Sequence, residues 1–216
     1  YPYWSAQLLY EDLKRQGLKC IPGITLFAGF DGPHIAPGQY SARLEVGDAT
    51  QTVSFEVRMD PRIKASDEDI KSWSETLGEV ENLVNAGLTG LEEIRQARQQ
   101  IEALMAAYPD DASLQTTAAE AIAKITAWDG EIIQSLHQTY EDEDAWETKL
   151  AGQLRHLMDV IDETGAPVTG GALLRLEDLK SEWSQRHTEL QSINTTYIDV
   201  INAWARQKGI PYVTSP

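Results

Sequence analysis

Cysteine is almost missing from this chain. Cys20 stands alone among 216 residues, so no intrachain disulfide can form. No Cys–His–Asp constellation accompanies it, and it reads as buried filler. Long apolar runs are missing too: no stretch approaches the roughly 20 apolar residues of a membrane-spanning helix. Positive charge is scarce. Lys and Arg number 18 against 34 Asp and Glu, a net charge of −16. That balance excludes nucleic acid as a partner, because its binding relies on neutralising phosphates. It also argues against docking on an anionic membrane. The acidity reads as a solvated, self-repelling surface. There is no initiator Met; the chain opens Tyr1-Pro2-Tyr3-Trp4, so a processed product or an excised piece of something longer is expected.

Catalytic signatures are lacking as well. None of His34, His137, His156 and His187 falls in a His-Glu-x-x-His pair or other metal spacing. His187 falls on a helical core stripe and reads as a hydrogen-bonded core or boundary residue. His34 sits in an exposed loop. Glu141, Asp142, Glu143 and Asp144 lack the spacing of a calcium loop and read as a solvated helix start. No carboxylate pair is marked out as buried. There is no nucleophile elbow, phosphate loop or dinucleotide fingerprint. No metal and no cofactor are expected, and no catalytic residue is assigned.

What is present divides at Asp60-Pro61-Arg62. Before it, Tyr40, Ala42, Leu44 and Val46 alternate with Ser41, Arg43 and Glu45. Val53, Phe55, Val57 and Met59 alternate with Ser54, Glu56 and Arg58 in the same way. Gly47-Asp48 lies between them, so residues 40–46 and 53–59 predict a β-hairpin with one apolar face. That face must be covered, by the helices or by other sequence. Residues 24–30, with Ile24, Leu26, Phe27 and Phe30, suggest a further, less regular strand. Gly32, Pro33, Pro37 and Gly38 make a rigid loop around His34. About 60 residues and three strands are too few for an immunoglobulin-like sandwich, which needs about seven strands.

After the join the pattern turns helical. Ser66 with Asp67, Glu68 and Asp69 predicts a helix start, and the first helix runs to about Tyr108, before Pro109. Its stripe is Ile70, Trp73, Leu77, Val80, Val84, Leu88, Leu91, Ile94, Ile101 and Leu104. A second helix from about Asp111 carries Leu114, Ala118, Ile122, Ile125, Trp128, Ile132 and Leu136. A third carries Trp146, Leu150, Leu154, Leu157 and Ile161, and ends at Gly165-Ala166-Pro167. A fourth carries Leu173, Leu176, Leu179, Trp183, Leu190, Ile193, Tyr197, Ile201 and Trp204, closed by Gly209 and Pro211. These aromatics at helical spacing read as core. An antiparallel up-down four-helix bundle is expected, with its longest helices projecting and the hairpin seated on one end. The bundle is the acidic part. Residues 63–216 hold 12 basic and 27 acidic residues, whereas residues 1–62 hold six and seven.

Two segments carry a resemblance. One is Gly32-Pro33-His34-Ile35-Ala36-Pro37-Gly38-Gln39-Tyr40-Ser41-Ala42-Arg43-Leu44, closing at Phe55-Glu56-Val57 and Asp60-Pro61-Arg62. The other runs from Glu189-Leu190-Gln191-Ser192-Ile193-Asn194 through Ile201-Asn202 to Gly209-Ile210-Pro211. Together they resemble the C-terminal region of large secreted bacterial proteins with sortilin-type, sialidase-like-repeat β-propellers, often labelled glycoside-hydrolase-like. The resemblance implies an immunoglobulin-like strand segment ending in Asp-Pro-Arg, then a helical bundle. It implies a secreted, periplasmic or cell-surface location. Any activity would sit in the propeller, of which no repeat is present here.

The sequence thus points to an α+β, mainly α chain in two parts, 1–62 and 63–216. The expected role is a non-enzymatic structural or interaction module whose partner is the rest of a larger propeller chain or further copies. The alternative is a carbohydrate-binding accessory module, with Tyr1, Tyr3, Trp4, Tyr10 and His34 as an exposed interaction surface. An enzyme with an unmarked carboxylate pair is the third reading.

Overall fold

Period-2 alternation becomes a two-stranded antiparallel hairpin, β1 (Gly38–Val46) and β2 (Ala49–Val57). The computed structural model describes residues 33–136, 142, 144–211 and 213; the segment 24–30 and Cys20 lie outside them. Tyr40 faces Phe55 and Ala42 faces Val53 in the register, so the apolar sets share one side. Gly47, at φ 58°, makes the two-residue turn with Asp48. Met59 falls beyond β2.

The join is a turn built by its own residues. Ile63 N–H donates to the Asp60 carbonyl, and Pro61 supplies the fixed φ of the second turn position. The Asp60 carboxylate accepts from the Arg62 backbone N–H at 2.9 Å and from its guanidinium. Four residues later Ser66 caps α1 (Asp67–Ala107). Its hydroxyl accepts from Asp69 N–H, and Asp69 accepts in return from Ser66 N–H, a reciprocal capping box.

The other helices are α2 (Ala112–Ile132), α3 (Leu150–Thr164), α4 (Gly170–Ile193) and α5 (Asp199–Lys208). A π-helical turn, Asn194–Ile198, fuses α4 to α5 into one rod spanning residues 170–208. The body has one shared core, including Leu77, Leu91, Ile94, Ile125, Leu154, Ile161, Leu179 and Ile201.

The direction of the helices differs from the expected up-down alternation. Trp73, early in α1, donates its indole N–H to the carbonyl of Ile161, late in α3. Val84, further along α1, shares a crevice with Leu150 and Ala151 at the start of α3. α3 therefore runs antiparallel to α1, as α2 does. Lys180 meets Glu79 and Leu190 lies beside Gly90, so α4 runs parallel to α1. The architecture is three rods: α1, the α4–α5 rod, and α2 followed end to end by α3. Length explains it. At 1.5 Å per residue the two long rods run about 60 Å, whereas α2 and α3 alone reach only about 32 and 23 Å. Laid in tandem, the short helices cover the whole apolar stripe of both long rods, so neither long helix needs to project.

Four stripe residues are corrected. α2 ends at Ile132, leaving Leu136 outside it and exposed. Trp146 precedes α3 and is exposed, and Leu173 is exposed on the first turn of α4. His187 is exposed on α4, hydrogen-bonded to Gln191 and tilted against Trp183, rather than core. α3 begins at Leu150 with Lys149 as its cap residue, six residues beyond Asp144; Glu141 and Glu143 lie outside the described residues.

The hairpin shares no strand with the helical body, and the core residues lie in residues 73–213. A chain lacking residues 1–62 is expected to keep one cooperative helical melting transition by far-UV circular dichroism. Broad, non-cooperative loss of helix would mean the hairpin belongs to the helical folding unit.

Candidate functional site

The sequence requires a cover for the apolar face of the hairpin. Among the described residues there is none. Leu44 is 64% exposed, Val46 66%, Val53 59% and Phe55 43%. Only the foot is partly protected: Tyr40 stacks on Phe55 with ring centroids 6.0 Å apart. The opposite face is polar, with the ion pairs Arg43–Glu45 and Arg58–Glu56. Of the two covers that the sequence left open, the helices are not the one: they spend their own stripes on one another.

The foot is fixed to the helical body by the loop 33–37. His34 N–H donates to both carboxylate oxygens of Asp162, at 3.1 and 3.2 Å, and His34 Nδ1 lies 2.9 Å from Oδ2. Asp162 is on α3 and largely buried, while the His34 ring stays 81% exposed. Ala36 packs against the helical core. The Tyr40 hydroxyl donates back to the Ala36 carbonyl at 2.7 Å. His34, Pro33, Pro37, Gly38 and Tyr40 thus form one anchor, and Asp60, Pro61 and Arg62 make the second connection to α1. The Arg62 guanidinium holds the Asp60 carboxyl below its usual range. Tyr1, Tyr3, Trp4, Tyr10 and Gly32 lie outside the described residues.

Far from the hairpin, the turn between α1 and α2 has its own polar cluster, which no sequence motif marked. Asp111 caps α2 by accepting from Leu114 N–H, and it also accepts the Trp204 indole N–H at 2.9 Å. Tyr108 meets Trp204 edge-on at 5.0 Å, and Lys208 Nζ lies 5.8 Å from that ring. Gln115 donates to the carbonyls of Met105 and Tyr108, closing the end of α1. Asn202 pins the tail by exchanging two hydrogen bonds with the Val213 backbone. These contacts close helix ends.

The bond from Leu114 N–H, then that from Trp204, holds the Asp111 carboxyl below its ordinary value. A depressed folded-state pKa adds stability that is present above the unfolded pKa and lost as pH falls through the folded one. Asp111→Asn is therefore expected to lower Tm at neutral pH. The gap from the parent chain should narrow below about pH 4. Melting curves across that range check it; a pH-independent gap would mean the carboxylate charge contributes nothing.

Trp73 and Trp128 are buried as expected, and Trp183, Tyr197 and Trp204 pack at the edge of the core. A crevice lined by Val84, Gly87, Ile132, Leu150, Leu154 and Trp183 marks the joint between α2 and α3. It has no room for a water molecule. Among the described residues no group of three His, Cys, Asp or Glu is placed to hold a metal, and no helix is long and apolar enough to cross a membrane. No family model, curated protein or solved structure matches this chain.

Proposed function

We propose that this chain is a non-enzymatic interaction module, the C-terminal part of a larger secreted β-propeller protein. In this reading it carries two strands of an immunoglobulin-like sandwich on an acidic helical body. The remaining strands come from adjoining polypeptide. The observation that carries the reading is the anchored hairpin with its open apolar face. A folded protein rarely leaves contiguous apolar surface in water without a partner for it. The bond from the Tyr40 hydroxyl to Ala36 adds support. It has the form of the tyrosine tie of such sandwiches, in which a residue near a strand start bonds to backbone a few residues upstream.

The helical body serves here as a rigid mount. His34 ties the loop at the hairpin foot to Asp162 on α3, and the Asp60–Arg62 turn leads the chain from β2 towards α1. The test is the native mass of the protein isolated from its source. A mass above the 24.1 kDa of one chain supports the module reading. A mass of one chain at every concentration would overturn it.

A further inference from the structure

We propose that the outer edge of β2 is a self-pairing surface, at which two copies of this chain join antiparallel into one four-stranded sheet centred on Val53. This goes beyond the module reading, because it concerns the edge of the hairpin and leaves the apolar face to adjoining polypeptide.

A two-stranded sheet has two outer edges, and among the described residues neither is paired. The turn at Gly47-Asp48 decides which groups face outward. It makes Val46 and Ala49 a hydrogen-bonded pair, so bonded and unbonded pairs alternate down the register. Thr50, Thr52, Ser54 and Glu56 therefore point their N–H and C=O groups out along β2. Gln39, Ser41, Arg43 and Glu45 do so along β1. The β1 edge carries the Arg43–Glu45 ion pair, and charge on an edge strand discourages pairing. β2 has no charge from Ala49 to Phe55 and no proline.

β2 is its own complement. Laid antiparallel about Val53, all nine residues of each strand find a match. Thr52 exchanges backbone bonds with Ser54 of the second copy, and Thr50 with Glu56, so no like charges meet. On the apolar side Val53 meets Val53 and Ala49 meets Val57, which joins the two apolar faces into one. A hairpin of two strands is marginal in water, whereas three or more strands with an apolar face are stable.

The charge distribution permits this contact. Residues 38–57 hold only Arg43 against Glu45, Asp48 and Glu56, while residues 63–216 hold 12 basic and 27 acidic residues. Antiparallel pairing sends the two acidic bodies to opposite ends of a ladder about 30 Å long. That is several times the ~8 Å over which charges act at physiological salt.

The experiment uses the full chain with Cys20→Ser. In the paired sheet the two copies of residue 53 lie about 4.5 Å apart at Cα, within disulfide reach, and the two copies of residue 42 about 14 Å apart. Under mild oxidation Val53→Cys should form a covalent dimer about tenfold faster than Ala42→Cys, with unchanged helical circular dichroism. Sedimentation equilibrium should show the parent chain as a dimer and Thr52→Pro as a monomer, because that proline removes an outward N–H and spares the bonds to β1. Thr52→Lys with Ser54→Lys repeats the test by setting like charges opposite each other, should the proline disturb the strand. Equal linkage of the two cysteine variants, a monomeric parent, or a dimer that survives both edge variants would overturn the proposal. A native mass that includes other chains, without linkage through Val53→Cys, retires the edge pairing and leaves the module reading standing.

Discussion

Trp128→Ala should be among the most damaging single substitutions in the helical body. Trp128 is 3% exposed and sits near the end of α2, close to where the tandem rod breaks between α2 and α3. Its indole N–H donates to the Arg186 carbonyl on α4 at 2.7 Å, and its ring edge lies at Gly90 on α1. The next residue, Asp129, accepts a bidentate pair from Arg95 on α1. Two consecutive residues of α2 thus tie all three rods at one level. Removing a buried Trp costs about 3–5 kcal/mol through lost transfer energy and the cavity left behind. In a domain of this size that lowers Tm by roughly 10 °C. Trp128→Phe keeps most of the ring contact and loses the bond to Arg186, so its cost should be clearly smaller. Urea unfolding at neutral pH measures both. Equal midpoints for the two variants would mean that ring volume does not set the stability of this joint.

The helix stripes were legible in the sequence because burial on a helix repeats every three to four residues. Leu77, Val80, Leu91, Ile94 and Ile101 on α1, and Leu150, Leu154, Leu157 and Ile161 on α3, are buried as the spacing predicts. The start at Ser66 and the stops at Pro109, Gly165 and Gly209 were legible for a local reason: capping and φ preference act over a few residues. Helix direction was not. A stripe says which face is buried and nothing about which way the neighbour runs. The connection 133–149 is long enough either to reverse the chain or only to shift it.

The π turn left a faint trace. Ile193 and Ile198 are both buried at a spacing of five, one residue more than an α-helix stripe allows. Reading Tyr197 as the stripe residue concealed it, because Tyr197 also fits α-helical spacing and is itself partly buried. The hairpin faces were legible from alternation, but the anchor was not. Asp162 lies 128 residues from His34, and no local pattern pairs a loop histidine with one carboxylate among 34. The same limit hid Asp111 and Trp204, 93 residues apart.

Two glycines of α1 should respond to substitution with opposite sign, and that contrast tests the three-rod packing directly. A Cβ at Gly90 would sit 3.3 Å from Leu190 Cδ2 and 3.5 Å from the Trp128 ring. Both neighbours are buried and belong to different rods. Gly90→Leu would push α1 off α2 and α4 together, and overpacking of this kind costs about 1–3 kcal/mol or more. At Gly78 a Cβ would meet nothing within 4 Å. There Gly78→Ala only removes backbone freedom from the unfolded chain and adds helix propensity, a gain of up to about 1 kcal/mol. Gly90→Ala falls between the two, since the helix gain offsets a contact that Leu190 must relax by a few tenths of an ångström. Thermal unfolding should therefore rank the variants Gly78→Ala above the parent, Gly90→Ala near it and Gly90→Leu well below. If Gly90→Leu matched Gly78→Ala, α1 would be free of α4 at this level. The parallel pairing of the two long rods would then be wrong.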